Sequence, residues 1–122
     1  MNSAVRPAFY ALRPGGWRDY VTLLHPPYTL WHLSYVALGA ALAPQMKWGL
    51  LGWTVLAFSL AMGVGAHALD ELNGRPLRTQ IPSAVLVALA AVSIAAASAI
   101  GIVVATRSTL WLLAFVVFGA LV

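Results

Sequence analysis

The chain has 122 residues, of which 61% are hydrophobic and 8% charged, and it carries no cysteine. A soluble domain has about 25% charged residues, so this composition, with a mean hydropathy of +0.86, reads as an integral membrane protein. The lack of cysteine excludes disulfide frameworks, thiolate metal sites and cysteine nucleophiles. Seven Lys and Arg against three Asp and Glu leave a formal charge of +4, but no basic stripe of the kind nucleic acid requires; the cations suit lipid headgroups or an anionic substrate at a membrane face.

Residues 1–27 read as an irregular cytoplasmic or interfacial lead, punctuated by Pro7, Pro14-Gly15-Gly16 and Pro26-Pro27. A short interfacial helix is expected over Arg18 to Leu24, and Tyr10, Trp17 and Tyr20 are residue types that sit at headgroup depth. The first apolar run begins only near Tyr28, which is not the layout of a cleavable signal peptide, so insertion is expected through the first helix itself.

From Tyr28 onward, residues 28–122 read as a transmembrane helical domain. Helix 1 is expected from Tyr28 to Ala43, with His32 inside it and a span that barely crosses a ~30 Å hydrocarbon core. Pro44 to Lys47 make a turn, and helix 2 runs from Trp48 to Leu69, where Gly63-x-Gly65 permits close helix approach or a kink. Asn73 to Pro82 form a loop. Helix 3 takes Ser83 to Ala105, and its Ala and Ser content implies packing among other helices. A fourth helix starting at Thr109 reaches Val122 after about 14 residues without a polar stop, against the roughly 20 that a span needs. The chain therefore reads as the first part of a larger bundle: all-α, polytopic, three full helices and a truncated fourth.

Orientation follows from the cations. Arg6, Arg13, Arg18, Arg75 and Arg78 fall on one side and Lys47 and Arg107 on the other, which puts the N-terminus and the 70–82 loop in the cytoplasm, with an inner membrane as the expected location. The five tryptophans lie mostly near helix ends, as an aromatic belt requires.

The informative stretch is His67-Ala-Leu-Asp70-Glu71-Leu-Asn73-Gly-Arg75-Pro-Leu-Arg78, because two of the three carboxylates of the chain end an apolar helix there. Ionisable groups at a membrane boundary are costly unless paired or used. His67, Asp70 and Glu71 at i, i+3 and i+4 share one helix face. Asp70 and Glu71 offer the hard oxygen ligands that Mg²⁺ prefers, and Arg75 and Arg78 can hold an anion by forked hydrogen bonds. The alternative is a boundary cap, with the two acids paired to the two arginines. A transition-metal site of His67 and both acids would need a ligand from another helix. His32 can ligate the central metal of a chlorophyll or haem, or simply bond a neighbouring helix; His25 reads as an interface residue. No phosphate-binding glycine loop, Gly-x-Ser-x-Gly or His-Glu-x-x-His is present.

His25-Pro26-Pro27-Tyr28-Thr29-Leu30 with Val36-Ala-Leu-Gly-Ala-Ala-Leu, and then the acidic end of helix 2 with Gly74-Arg75-Pro76-Leu77-Arg78-Thr79-x-Ile81, resemble the opening of the UbiA superfamily of membrane prenyltransferases. The resemblance covers roughly residues 20–105. It implies a bundle of about nine helices that transfers an isoprenoid from a prenyl diphosphate to an aromatic, porphyrin-type or lipid acceptor. It also implies Mg²⁺ on Asp70 and Glu71, diphosphate on Arg75 and Arg78, and supporting contacts from Asn73 and His67. The first acidic motif of that family aligns with Ala66-His67-Ala-Leu-Asp70, where one carboxylate remains. That departure supplies the alternative expectation: a non-catalytic structural subunit derived from such an enzyme, within a membrane complex of other subunits, with His32 as a ligand to a chlorophyll-type pigment.

Overall fold

The computed structural model describes residues 7–106; Arg6, Arg107, Trp111 and the expected fourth helix lie outside them. The described residues are all-helical. Helix α1 is Trp17–Leu23, α2 is Pro26–Leu42, α3 is the continuous rod Trp48–Leu72, and α4 is Ser83–Thr106. Two of these, α3 and α4, are long and apolar enough to cross a membrane. Helix α2 has 17 residues and rises only about 26 Å, short of a ~30 Å hydrocarbon core.

The local signals explain the boundaries. Pro26 and Pro27 occupy the first turn of α2, where a missing N–H costs nothing and a fixed φ is already helical. Helix α3 runs three residues past its expected end because Leu72 still continues its buried face beside Ala68. Gly74, at φ +97°, then lets the chain turn out, and the Arg75 amide donates back to the Glu71 carbonyl at 3.1 Å. Pro76 sits second in the tight turn closed by the Arg78 amide on the Arg75 carbonyl at 3.0 Å. The Pro82 carbonyl accepts the Val85 and Leu86 amides in the first turn of α4.

The middle of α3 is not α-helical. Ser59–Ala66 is wound as a π-helix, with Gly63 and Gly65 buried. A Cβ on Gly65 would lie 2.8 Å from Ile94 Cγ1 and 3.3 Å from the Leu60 carbonyl, so α4 approaches α3 as closely as a glycine allows. A Cβ on Gly63 would meet Thr29 Cγ2 of α2 at 3.2 Å. The close approach expected of the glycine pair is present, and the widened turns set the azimuth of His67 immediately after it.

Helix α4 packs along all three parts of α3, and α2 leans on its first half and on the π-helical turns. The buried apolar cluster lies at one end of the molecule: Leu23 of α1, Ala68 of α3, Ile81 of the loop, and Leu86 and Ala90 of α4. The shafts bury little. Among large apolar side chains, Leu30, Trp31, Tyr35, Leu38 and Leu42 of α2, Trp53 of α3 and Val92 of α4 are all exposed.

Candidate functional site at the polar end

Three segments meet at this end: the lead through α1, the last turns of α3, and the 73–82 loop. Successive helical residues are turned by about 100°, so Asp70 and Glu71, though adjacent, face different ways. Glu71 is 0% exposed. Its Oε2 accepts the Leu77 amide at 2.9 Å, and its Oε1 accepts both the amide and the hydroxyl of Thr79 at 2.8 Å. Asp70 is exposed. The geometry therefore divides the expected Mg²⁺ pair: Glu71 spends both oxygens on the loop, and Asp70 alone presents its carboxylate outward. Among the described residues no group of three or more His, Asp or Glu is arranged to hold a metal.

Arg75 complements Glu71. With φ at +55°, its guanidinium turns back over the loop, where Nη1 donates to the carbonyls of Thr79 and Ile81 and Nη2 donates to Ser83 Oγ at 2.9 Å. A carboxylate takes up the amides of the loop and a guanidinium takes up its carbonyls, which satisfies a polar backbone against an apolar core. Neither group pairs with the other, so the expected cap of acids paired to arginines is replaced by two separate clamps on the backbone. Arg78 (φ +54°), Asn73 and Gln80 are exposed on the outer side of the loop.

Asp19 is the site residue that the sequence reading did not single out. It is 4% exposed; Oδ1 accepts the Gly15 amide at 3.0 Å and Oδ2 accepts the Gln80 amide at 2.8 Å, 61 residues away. An acid in the first turn after Pro-Gly-Gly announces a local cap. Nothing local announces the partner at Gln80.

The histidines form a second feature. The rings of His25 and His67 stack with centroids 4.0 Å apart and planes 13° from parallel. His25 holds a left-handed backbone at φ +46°; its Nδ1 is 2.8 Å from the Tyr10 hydroxyl, which ties the lead to α2 and α3. Nδ1 of His67 lies 3.0 Å from the Gly63 carbonyl. Because a carbonyl only accepts, His67 carries its proton on Nδ1 and leaves a lone pair on Nε2. Burial and the neighbouring His67 hold His25 below the ordinary histidine range, while the more distant Asp70 and Glu71 oppose the shift. Burial and Tyr28 raise the Tyr10 phenol. His32 is exposed on α2, its Nδ1–H donating to the Tyr28 carbonyl at 2.8 Å.

Of the residues singled out from the sequence, the structure thus brings His67, Asp70, Glu71, Asn73, Arg75 and Arg78 to one end and leaves His32 on the helix shaft. No protein-family profile, curated protein or solved structure matches this chain.

Proposed function

We propose that the chain is a multi-pass membrane segment of UbiA-type architecture whose polar end forms one half of a site for a prenyl diphosphate. The observation that carries this reading is the 67–83 unit: at the end of a helix apolar enough to cross a membrane, a loop is held from inside by Glu71 and Arg75 while Asp70, Asn73 and Arg78 stand exposed. Only 11% and 17% of the most apolar stretches of α3 and α4 are buried. The core helix of a soluble protein would be mostly buried, so these surfaces suit lipid or other helices. The five-to-two distribution of cations sets this end in the cytoplasm.

Roles follow from placement. Asp70 is the residue that would hold Mg²⁺, with the Asn73 amide oxygen as a second hard donor; Mg²⁺ ordinarily takes one or two carboxylates and fills its remaining positions with water and substrate phosphate. When bound, it would neutralise charge on the departing diphosphate as the allylic cation develops. Arg78 supplies an exposed guanidinium for the phosphate oxygens. Glu71 and Arg75 keep the loop in shape, and the acceptor is an aromatic, porphyrin-type or lipid molecule.

The test is binding of a non-hydrolysable prenyl diphosphate analogue to the protein in nanodiscs, with and without Mg²⁺, for wild type and Asp70→Asn. Metal-dependent binding that disappears in D70N supports the site; metal-independent binding, or none to a folded protein, overturns it. One observation favours a second reading. The Nδ1–H of His32 is spent on Tyr28, so Nε2 keeps its lone pair on an exposed helix face, as an axial ligand to a chlorophyll-type pigment in a non-catalytic subunit would require. Absorbance shifts on titration with a metalloporphyrin that vanish in His32→Ala would favour it.

A further inference from the structure

Two of the three acids of this chain are turned inward, and that changes the charge of the surface they leave. Asp19 is committed to the amides of Gly15 and Gln80, and Glu71 to those of Leu77 and Thr79. Arg13 and Arg18 of the lead remain exposed. The bridge through Asp19 ties the segment that carries both of them to the loop: Arg13 lies two residues before Gly15, Arg18 is next to Asp19, and Gln80 is held against the same carboxylate.

The apolar side chains of the lead divide in the same manner. Asp19, Thr22 and Leu23 face inward, while Trp17, Tyr20 and Leu24, at i, i+3 and i+7, are 67%, 43% and 38% exposed. The Arg18 guanidinium sits 5.8 Å from the centre of the Trp17 ring. This is a short helix with its polar anchor inside and with aromatic residues and arginines outside. In water that arrangement would be costly; at headgroup depth each part has a partner.

We infer that the lead is a docking surface for anionic phospholipid headgroups, and that Asp19 transmits this docking to the 73–82 loop. The inference rests on the membrane reading above. The occupant is chosen by charge: two exposed arginines, Arg13 and Arg18, accompany exposed Trp17 and Tyr20, and the neighbouring carboxylate, Asp19, is buried on backbone amides. Docking fixes α1, α1 fixes the Asp19 carboxylate, and the carboxylate holds the Gln80 amide two residues from Arg78. Anionic lipid thereby orders the loop that carries the outward groups.

Hydrogen exchange on the whole protein in nanodiscs tests it, comparing a purely zwitterionic bilayer with one containing phosphatidylglycerol. Anionic lipid should slow exchange over 12–24 and at Leu77, Thr79 and Gln80, by about fivefold for each arginine engaged. High salt should reverse the slowing, and so should R13Q/R18Q, whose side chains are exposed and whose loss leaves the core untouched. In Asp19→Asn the lead should still respond to the lipid while the response of Gln80 is reduced. Equal exchange of the lead in both bilayers, with α3 and α4 protected in each, would overturn the docking proposal alone. A response of lead and loop that D19N leaves intact would overturn the coupling. Failure of the folded chain to enter either bilayer would overturn the membrane reading together with it.

Discussion

The polar end and the helical shafts are built on opposite principles. At the polar end each buried acid has designated donors, three non-glycine residues hold left-handed backbones, and the apolar core of Leu23, Ala68, Ile81, Leu86 and Ala90 lies directly beside Glu71. Along the shafts the side chains are mostly apolar and many are exposed, and the tightest contacts are the close approaches at Gly63 and Gly65. The difference separates two sources of order. The shafts rely on the surrounding solvent, so many sequences would serve there. The polar end relies on particular atoms, so single substitutions should be felt sharply.

The largest effect should come from Glu71→Ala. It leaves two buried backbone amides without an acceptor, at about 1–3 kcal/mol each, and equilibrium unfolding in mixed detergent should show a loss of about 2–6 kcal/mol. Next comes the one exacting contact of the shafts. Gly65→Ala forces Ile94 and the Leu60 carbonyl apart and should cost about 1–3 kcal/mol; Ile94→Ala in the same chain should recover part of it, since one of the two crowded contacts is removed. A mutant cycle without recovery would show that the π-helical turns, rather than α4, reject the methyl group.

Asp19→Asn keeps the size of the side chain and weakens its hold on the amides of Gly15 and Gln80, for about 1–2 kcal/mol. Its signature is faster exchange at Gln80 with the exchange of α3 unchanged. A smaller effect concerns acidity. The pKa of His25 is lowered in the folded chain, so above about 6.5 both folded and unfolded states are neutral and this group contributes nothing to pH dependence. As pH falls below 6.5 the unfolded chain takes up the proton first, and the folded state loses stability until His25 itself protonates. A stability curve that falls on acidification below about 6.5 in wild type, and falls less steeply in His25→Gln, is the expected result. Smallest of all is Asp70→Asn, an exposed change that should move stability by less than about 0.5 kcal/mol.

Most helix boundaries were legible because punctuation marks them: Pro26-Pro27 opens α2, Pro44 to Lys47 separate α2 from α3, and Gly74 to Pro82 make the loop. The polar end was legible as a place, since a few charged residues stand out against an apolar chain. The division of labour inside it was not. Spacing grouped Asp70 with Glu71, whereas the deciding fact is that Ala68, Glu71 and Leu72 share the buried face and Asp70 does not. Long-range partners were also hidden, because Asp19 to Gln80 and His25 to His67 join segments with no common pattern. The Gly63 and Gly65 pair announced a close approach but carried no sign of eight residues of π-helix.

The most direct measurement places Glu71→Gln beside Asp70→Asn, following amide exchange at Leu77 and Thr79 in the intact protein. If Glu71 shapes the loop and Asp70 serves the outside, E71Q should expose at least one of the two amides, because an amide nitrogen replaces one of the two accepting oxygens, with exchange rising about 5–30-fold, and D70N should leave them unchanged. Equal protection in E71Q and wild type, or deprotection in D70N, would contradict that division.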